Sequence, residues 1–313
     1  MGFAVINTEQ AFAREMVDGF TAGVGQVDGV RPVVAGPATV DPAAQLMAFQ
    51  QLTEQAPSGI CVFATEPELF AGPLAQAHQR GIPVIAVDNV PPPSSNVGLL
   101  VANDNYQLGR TLAAEVAAKL TADTGTIVIG TPWPGVPVLD QRANGIRDEI
   151  RARLPKVTVR GPFDTRRDPA SNLAAWTSLV RANPKALAFL GTGEADGYNL
   201  AALRRKTHGT WAAGAFDVHP KSLQAVKAGD LVVVSPEHFL KGAVAGRLQA
   251  QHATRNGSLP AGWLPIPGLV VNGANVDQII ARQVSAATKQ QALAQQIDRL
   301  VTEPPTRPLQ DAT

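Results

Sequence analysis

Short apolar runs rich in β-branched residues recur along the chain, each followed by a turn and a stretch of helical composition. The runs fall at 3–7, 30–35, 59–64, 83–87, 98–101, 125–129, 156–159, 186–190, 211–216, 231–235 and 268–271. Helical composition fills 12–24, 41–55, 67–80, 107–120, 138–154, 169–183, 194–205 and 239–256. Runs that are apolar on both faces and joined by helices predict parallel sheets buried under helices, an α/β, doubly wound class. Eleven strands exceed one comfortable sheet, so two sheets of about five or six strands are expected. The break is placed near 101–106, where Asn103, Asp104 and Asn105 follow a strand and Gly109 opens a new helix. Residues 278–300 read as helix, with Ile280, Val284, Leu293 and Ile297 spaced for one buried face, and the proline-rich tail after them reads as ordered, then frayed.

Length agrees with this division, since 313 residues at about 150 per domain give two. Lys and Arg total 27 against 26 Asp and Glu, with no block of like charge, which excludes a phosphate-neutralising nucleic-acid binder and a membrane-surface protein. The single cysteine, Cys61, lies in an apolar run and reads as a core residue; it excludes an internal disulfide framework. No apolar stretch approaches the roughly 18 residues of a membrane span. Met1 and Gly2 lead straight into the first run, so either a cytosolic protein or one whose leader has been trimmed is expected.

In open α/β sheets ligands bind beyond the carboxyl ends of the strands. The polar residues there are Glu9, Gln10 and Phe12 after the first run; Asp88 and Asn89 after the fourth; Trp133, Asp140 and Arg142 after 125–129. Thr192 and Glu194, then Asp217, then Glu237 and His238 follow later strands. Singly, each reads as a helix cap or strand-end turn. Together they suit a ligand bearing neighbouring hydroxyls, because carboxylate and guanidinium make paired hydrogen bonds while a ring covers the C–H face. Trp133, held between two prolines, reads equally as a stacking face and as filling under a loop.

Residues 84–89 (VIAVDN) resemble the strand-plus-acid motif of the ribose-binding type of periplasmic binding proteins, the sugar-binding components of ABC importers. Four more segments match in order: 17–20 (VDGF), Asn103 to Asn105 with Gly109, 142–146 (RANGI) and 215–217 (AFD). The similarity runs from about Phe3 to about Val271. It implies two Rossmann-like lobes joined by three crossovers, near 101–105, 235–237 and 264–269. The expected lobes are 1–102 with 237–265, and 103–236 with 266–300, leaving 301–313 as a tail. Ligand contacts implied by the resemblance are Gln10, Phe12, Asp88, Asn89, Arg142, Thr192 and Asp217, with a hinge contact at Pro236 or Glu237; Trp133, Asp140 and His238 are further candidates from strand-end position. Departures occur at Ala13, Asn89, Thr192 and 235–238, which leaves the identity of the sugar or polyol open. The implied activity is capture and closure without chemistry, by a monomer outside the cytoplasm that hands its ligand to a membrane permease.

Competing readings are thinner. Residues 191–197 (GTGEADG) imitate a dinucleotide fingerprint of an NAD(P)-dependent oxidoreductase, but with GxGxxxG spacing and late in the chain. The five histidines lack metal-site spacing, so no metal and no cofactor is expected. A sugar-responsive regulator of the lactose-repressor type would need a headpiece before the first strand, and membrane-kinase sensors share the same fold.

Overall fold

Alternation along the strands is what builds sheets with two buried faces. The computed structural model describes residues 1–255 and 258–312, so the expected helix end at Asn256 and the last tail residue lie outside the described residues. Ile127 and Ile129 pack in one apolar cluster with Leu190 and Val234, while Val128, Phe189 and Val233 pack in another. Each face therefore demands its own helices.

Two compact units result: Met1–Asn103 with Glu237–Pro267 and Arg282–Thr313, and Asp104–Pro236 with Gly268–Ala281. The first opens with β1 (Gly2–Ala4), α1 (Ala11–Val24), β2 (Val33–Ala35), α2 (Pro42–Gln55), β3 (Ile60–Val62), α3 (Ala71–Gln79), β4 (Val84–Val87) and β5 (Leu99–Ala102). The second begins with α4 (Asn105–Ala117), β6 (Gly125–Thr131), α5 (Pro137–Arg153), β7 (Val157–Asp164) and α6 (Pro169–Ala182). It continues with β8 (Ala186–Gly191), α7 (Glu194–Thr207), β9 (Ala212–Phe216), α8 (Pro220–Lys227) and β10 (Val232–Ser235). The chain re-enters the first unit for α9 (His238–Arg255) and β11 (Gly262–Pro265), and the second for β12 (Leu269–Val271) and most of α10 (Val276–Arg282). It ends in the first with α11 (Ala286–Thr302).

The sheets run β11-β5-β4-β3-β1-β2 and β12-β10-β9-β8-β6-β7, the same winding twice. All pairings are parallel, as expected, except that the edge strand β12 runs antiparallel to β10. β11 lies in a stretch expected to be a crossover; as an edge strand ending in Pro265 it carries little alternation to read. The eight-residue α8 was likewise not expected. Residues 278–300 split into two helices because Ser285 caps α11, its hydroxyl accepting from Thr288 N–H at 3.1 Å. α11 is also not part of the second unit, as expected for 266–300: Leu293, Ile297 and Leu300 are buried and the helix packs on α9 and α1. The chain thus changes unit at 103/104, 236/237 and 267/268, and once more at 281/282. The tail docks rather than dangling at its start, since Arg307 and Trp263 exchange two backbone hydrogen bonds of 2.8 Å.

Glycines set the closest helix approaches. A methyl group at Gly19 of α1 would lie 2.0 Å from the Phe239 carbonyl oxygen of α9, and one at Gly145 of α5 would lie 2.0 Å from that of Tyr106 in α4.

Candidate functional site

In the first unit the site grows from the end of β4. Asp88 donates its N–H to Val101 O at 3.1 Å, which prolongs the strand ladder, and then turns into the left-handed region at φ 67°. Its carboxylate forms a buried ion pair with Lys241 in the first turn of α9. Asn89 donates its amide to Ala64 O at 2.7 Å, while its buried Oδ1 and the Thr65 hydroxyl have no hydrogen-bond partner among the described residues. Such orphaned acceptors suit a ligand hydroxyl.

The loop after β1 is closed by Asn7, whose Oδ1 accepts the N–H of Gln10 at 2.8 Å and whose amide donates to Gln10 Oε1 at 2.9 Å. That turn sets α1 so that the Phe12 ring meets Phe63 edge-on at 6.5 Å and lies tilted against His238 at 5.5 Å. Glu237, at φ 55°, receives both amino groups of Arg282 at 2.8 Å, so its carboxylate is spoken for within this unit. Close by, burial pushes the Glu15 carboxyl above its ordinary range, and Lys289 at 3.2 Å opposes that shift.

The second unit repeats the device at the equivalent strand. Asp217 follows β9, donates its N–H to Val234 O at 3.1 Å and turns to φ 72°. Beside it the Arg142 guanidinium lies 4.5 Å from the centre of the Phe216 ring. It is fixed there by Asn105 Oδ1 at 2.9 Å and Thr192 O at 3.0 Å, and Thr192 in turn bonds Thr131 hydroxyl to hydroxyl at 2.9 Å. Arg142, Thr192 and the Phe216–Asp217 corner are therefore brought together. Asp140 is used differently: it accepts the Gly135 N–H at 3.1 Å and ties down the loop of Trp133. The Trp133 ring carries the Arg167 guanidinium at 3.8 Å.

The glycine-rich turn at 191–197 is filled by protein. Asp196, fully buried, accepts from Thr165, Asn172 and Trp176 at 2.8 Å and from Gly193 N–H at 3.0 Å. Burial pushes its carboxyl above the ordinary range because all four donors are neutral. The N–H that a pyrophosphate would need at Gly193 is thus engaged by a carboxylate. Among the described residues no group of three or more His, Cys, Asp or Glu could hold a metal ion.

Sequence reasoning missed Lys241, Phe63, Asn105, Phe216 and Arg282. Lys241 left a signal, as a lone cation within the apolar run 239–245, and Asn105 and Phe216 stood in segments that carry the resemblance without being given a role; Phe63 and Arg282 carried none, since their roles depend on what packs against them.

A family described as periplasmic binding protein domain matches residues 1–255, most of the chain. The chain belongs to that family. A D-allose-binding periplasmic protein of Escherichia coli is 26% identical over 208 residues, covering 64% of this chain and 66% of the relative's length. The family fold is seen in a glucose-galactose binding protein from Geobacillus stearothermophilus, at TM-score 0.78 and 18% identity, covering 88% of this chain and 97% of that one. It is seen again in an ABC transporter solute-binding protein from Agrobacterium vitis bound with α-D-tagatopyranose, at TM-score 0.80 and 22% identity, covering 90% and 96%. A carbohydrate transporter solute-binding protein from Agrobacterium radiobacter in complex with D-arabinose gives TM-score 0.80 and 21% identity, covering 91% and 98%.

Proposed function

We propose that this family member is the solute-binding component of a sugar importer, working outside the cytoplasm. It captures a small sugar or polyol with the strand-end groups of both units and closes on it. A bound ligand that touches both units binds the closed form better and shifts the population toward it. That form is what a membrane permease would read; the ligand itself is not transformed, and the protein acts as a monomer. The contacts are Gln10, Phe12, Asp88 and Asn89 from the first unit and Arg142, Thr192 and Asp217 from the second, with His238 supporting Phe12.

One observation carries this reading. At the end of the fourth strand of each unit a buried carboxylate stands in the left-handed region, Asp88 at φ 67° and Asp217 at φ 72°, and in the first unit Phe12 keeps part of its ring uncovered. Carboxylates accept paired hydroxyls, and rings cover the apolar face of a pyranose. The sugars bound by relatives make the natural panel: D-allose, D-arabinose, D-tagatose, D-fucose, D-glucose and D-galactose. Titration calorimetry and thermal shift are expected to show one-to-one binding of at least one of them, with Tm rising with ligand concentration. A shift with NAD(P) and none with any sugar or polyol would refute the proposal.

A further inference from the structure

Lys241 is the charge within this site that has no place yet. Its side chain is fully buried, and its flanking residues Phe239, Leu240, Ala243 and Val244 are buried and apolar. A methionine would fill such a position without desolvating an ammonium group, so packing does not account for a lysine here. What the ammonium meets is Asp88 Oδ1. The first turn of α9 and the residue before it thereby reach three neighbours: Glu237 meets Arg282, His238 meets Phe12, and Lys241 meets Asp88.

We propose that Lys241 is a positioning residue for ligand binding. It neutralises Asp88 through one carboxylate oxygen and orients the other, Oδ2, to accept from a ligand hydroxyl. This role rests on the reading of Asp88 as a ligand contact. The other ionisable groups of the region are Glu237 just before α9, His238 from α9, Arg282 from α10, Glu15 from α1 and Lys289 from α11. They are common to all the variants below, so differences between variants isolate the pair.

The test is calorimetry between about pH 5 and 9 with whichever of D-allose, D-arabinose or D-tagatose binds the wild type most tightly. Lys241→Met strands a buried carboxylate, which then favours its protonated, hydrogen-donating form. Its affinity should fall by about tenfold or more at pH 6 and recover as the pH rises, whereas wild-type affinity changes little. Asp88→Asn should bind weakly at every pH, and Asp88→Asn with Lys241→Met no more weakly. A Lys241→Met protein with wild-type affinity and a flat profile, while Asp88→Asn binds weakly, would overturn the role of Lys241 alone. A pH-independent loss in Lys241→Met that multiplies with the loss in Asp88→Asn would overturn it too, leaving only a structural part. Wild-type affinity in Asp88→Asn would instead remove Asp88 from the site, and this role with it. If Lys241→Met fails to fold, the double variant and Lys241→Arg carry the comparison, the latter expected to keep the flat profile. If no sugar binds, the ligand-free proteins decide whether Lys241 neutralises Asp88: Tm of Lys241→Met should fall with rising pH, and that slope should vanish in the double variant.

Discussion

At the scale of single residues, what a side chain does here depends on which polar groups it meets once water is gone. Arg142 is the clearest case, buried with donors committed to Asn105 and Thr192 and its plane over Phe216. Arg142→Ala should weaken sugar binding by more than about tenfold, read by calorimetry, because a buried hydrogen-bond donor and the cation over Phe216 vanish together. Asp196 shows the opposite use of a charge, a carboxylate held by four neutral donors for structure alone. Asp196→Ala strands those donors and is expected to cost more than about 2 kcal/mol in urea denaturation. Since burial raises its carboxyl in the fold, the stability it contributes is complete below about pH 4 and is lost as the pH rises through the native value. Asp196→Asn should therefore flatten Tm against pH on that side. Asp88, Arg142 and Asp217 were legible as site candidates because strand ends in this class face ligands. Lys241 was not, because a cation inside an apolar run looks like a surface lysine until its partner is placed by the fold.

Elements obey period and packing, and here the sequence spoke more plainly. Short runs apolar on both faces marked each strand of both sheets except β11, whose edge position asks for backbone pairing with β5 and little else. Helix starts were legible at Asp41 and Asp168, each of which accepts a first-turn N–H, but not at Asp104, whose helix begins two residues before the expected 107. What no pattern announced was how closely helices meet. Gly145 lets α5 touch the backbone of α4, so Gly145→Ala should destabilise by about 2 kcal/mol or more, as judged by chemical denaturation. Exposed Gly72 in α3 has nothing within 4 Å of an added methyl, and Gly72→Ala should be neutral or stabilise by up to about 1 kcal/mol. Equal effects at the two positions would contradict this account of the glycines.

The whole molecule is two copies of one winding, interrupted so that neither copy is a continuous stretch of chain. α11 closes the first unit by burying Leu293, Ile297 and Leu300 on α9 and α1, with Lys289 reaching Glu15. Ending the chain at Arg282 should accordingly lower the protection of α1 and α9 amides in hydrogen exchange while leaving β6, β8 and β9 protected. Loss of protection spread evenly through both sheets would show that the units are not separately stabilised. The position of α11 could not be read beforehand, because its apolar face is equally suited to either sheet's helices and only the docked partner chooses.

Vectorial synthesis gives this interleaving a direction. All of the second unit has been made once Ala281 emerges, but the first still lacks α11 and the Arg307 pairing that lines its edge strand. The first unit is thus finished after the second, and a nascent polypeptide carries a completed second unit preceded by unsatisfied amino-terminal strands until α11 and Arg307 have been made. That order keeps the first unit's share of the proposed contacts unformed until α11 has been made.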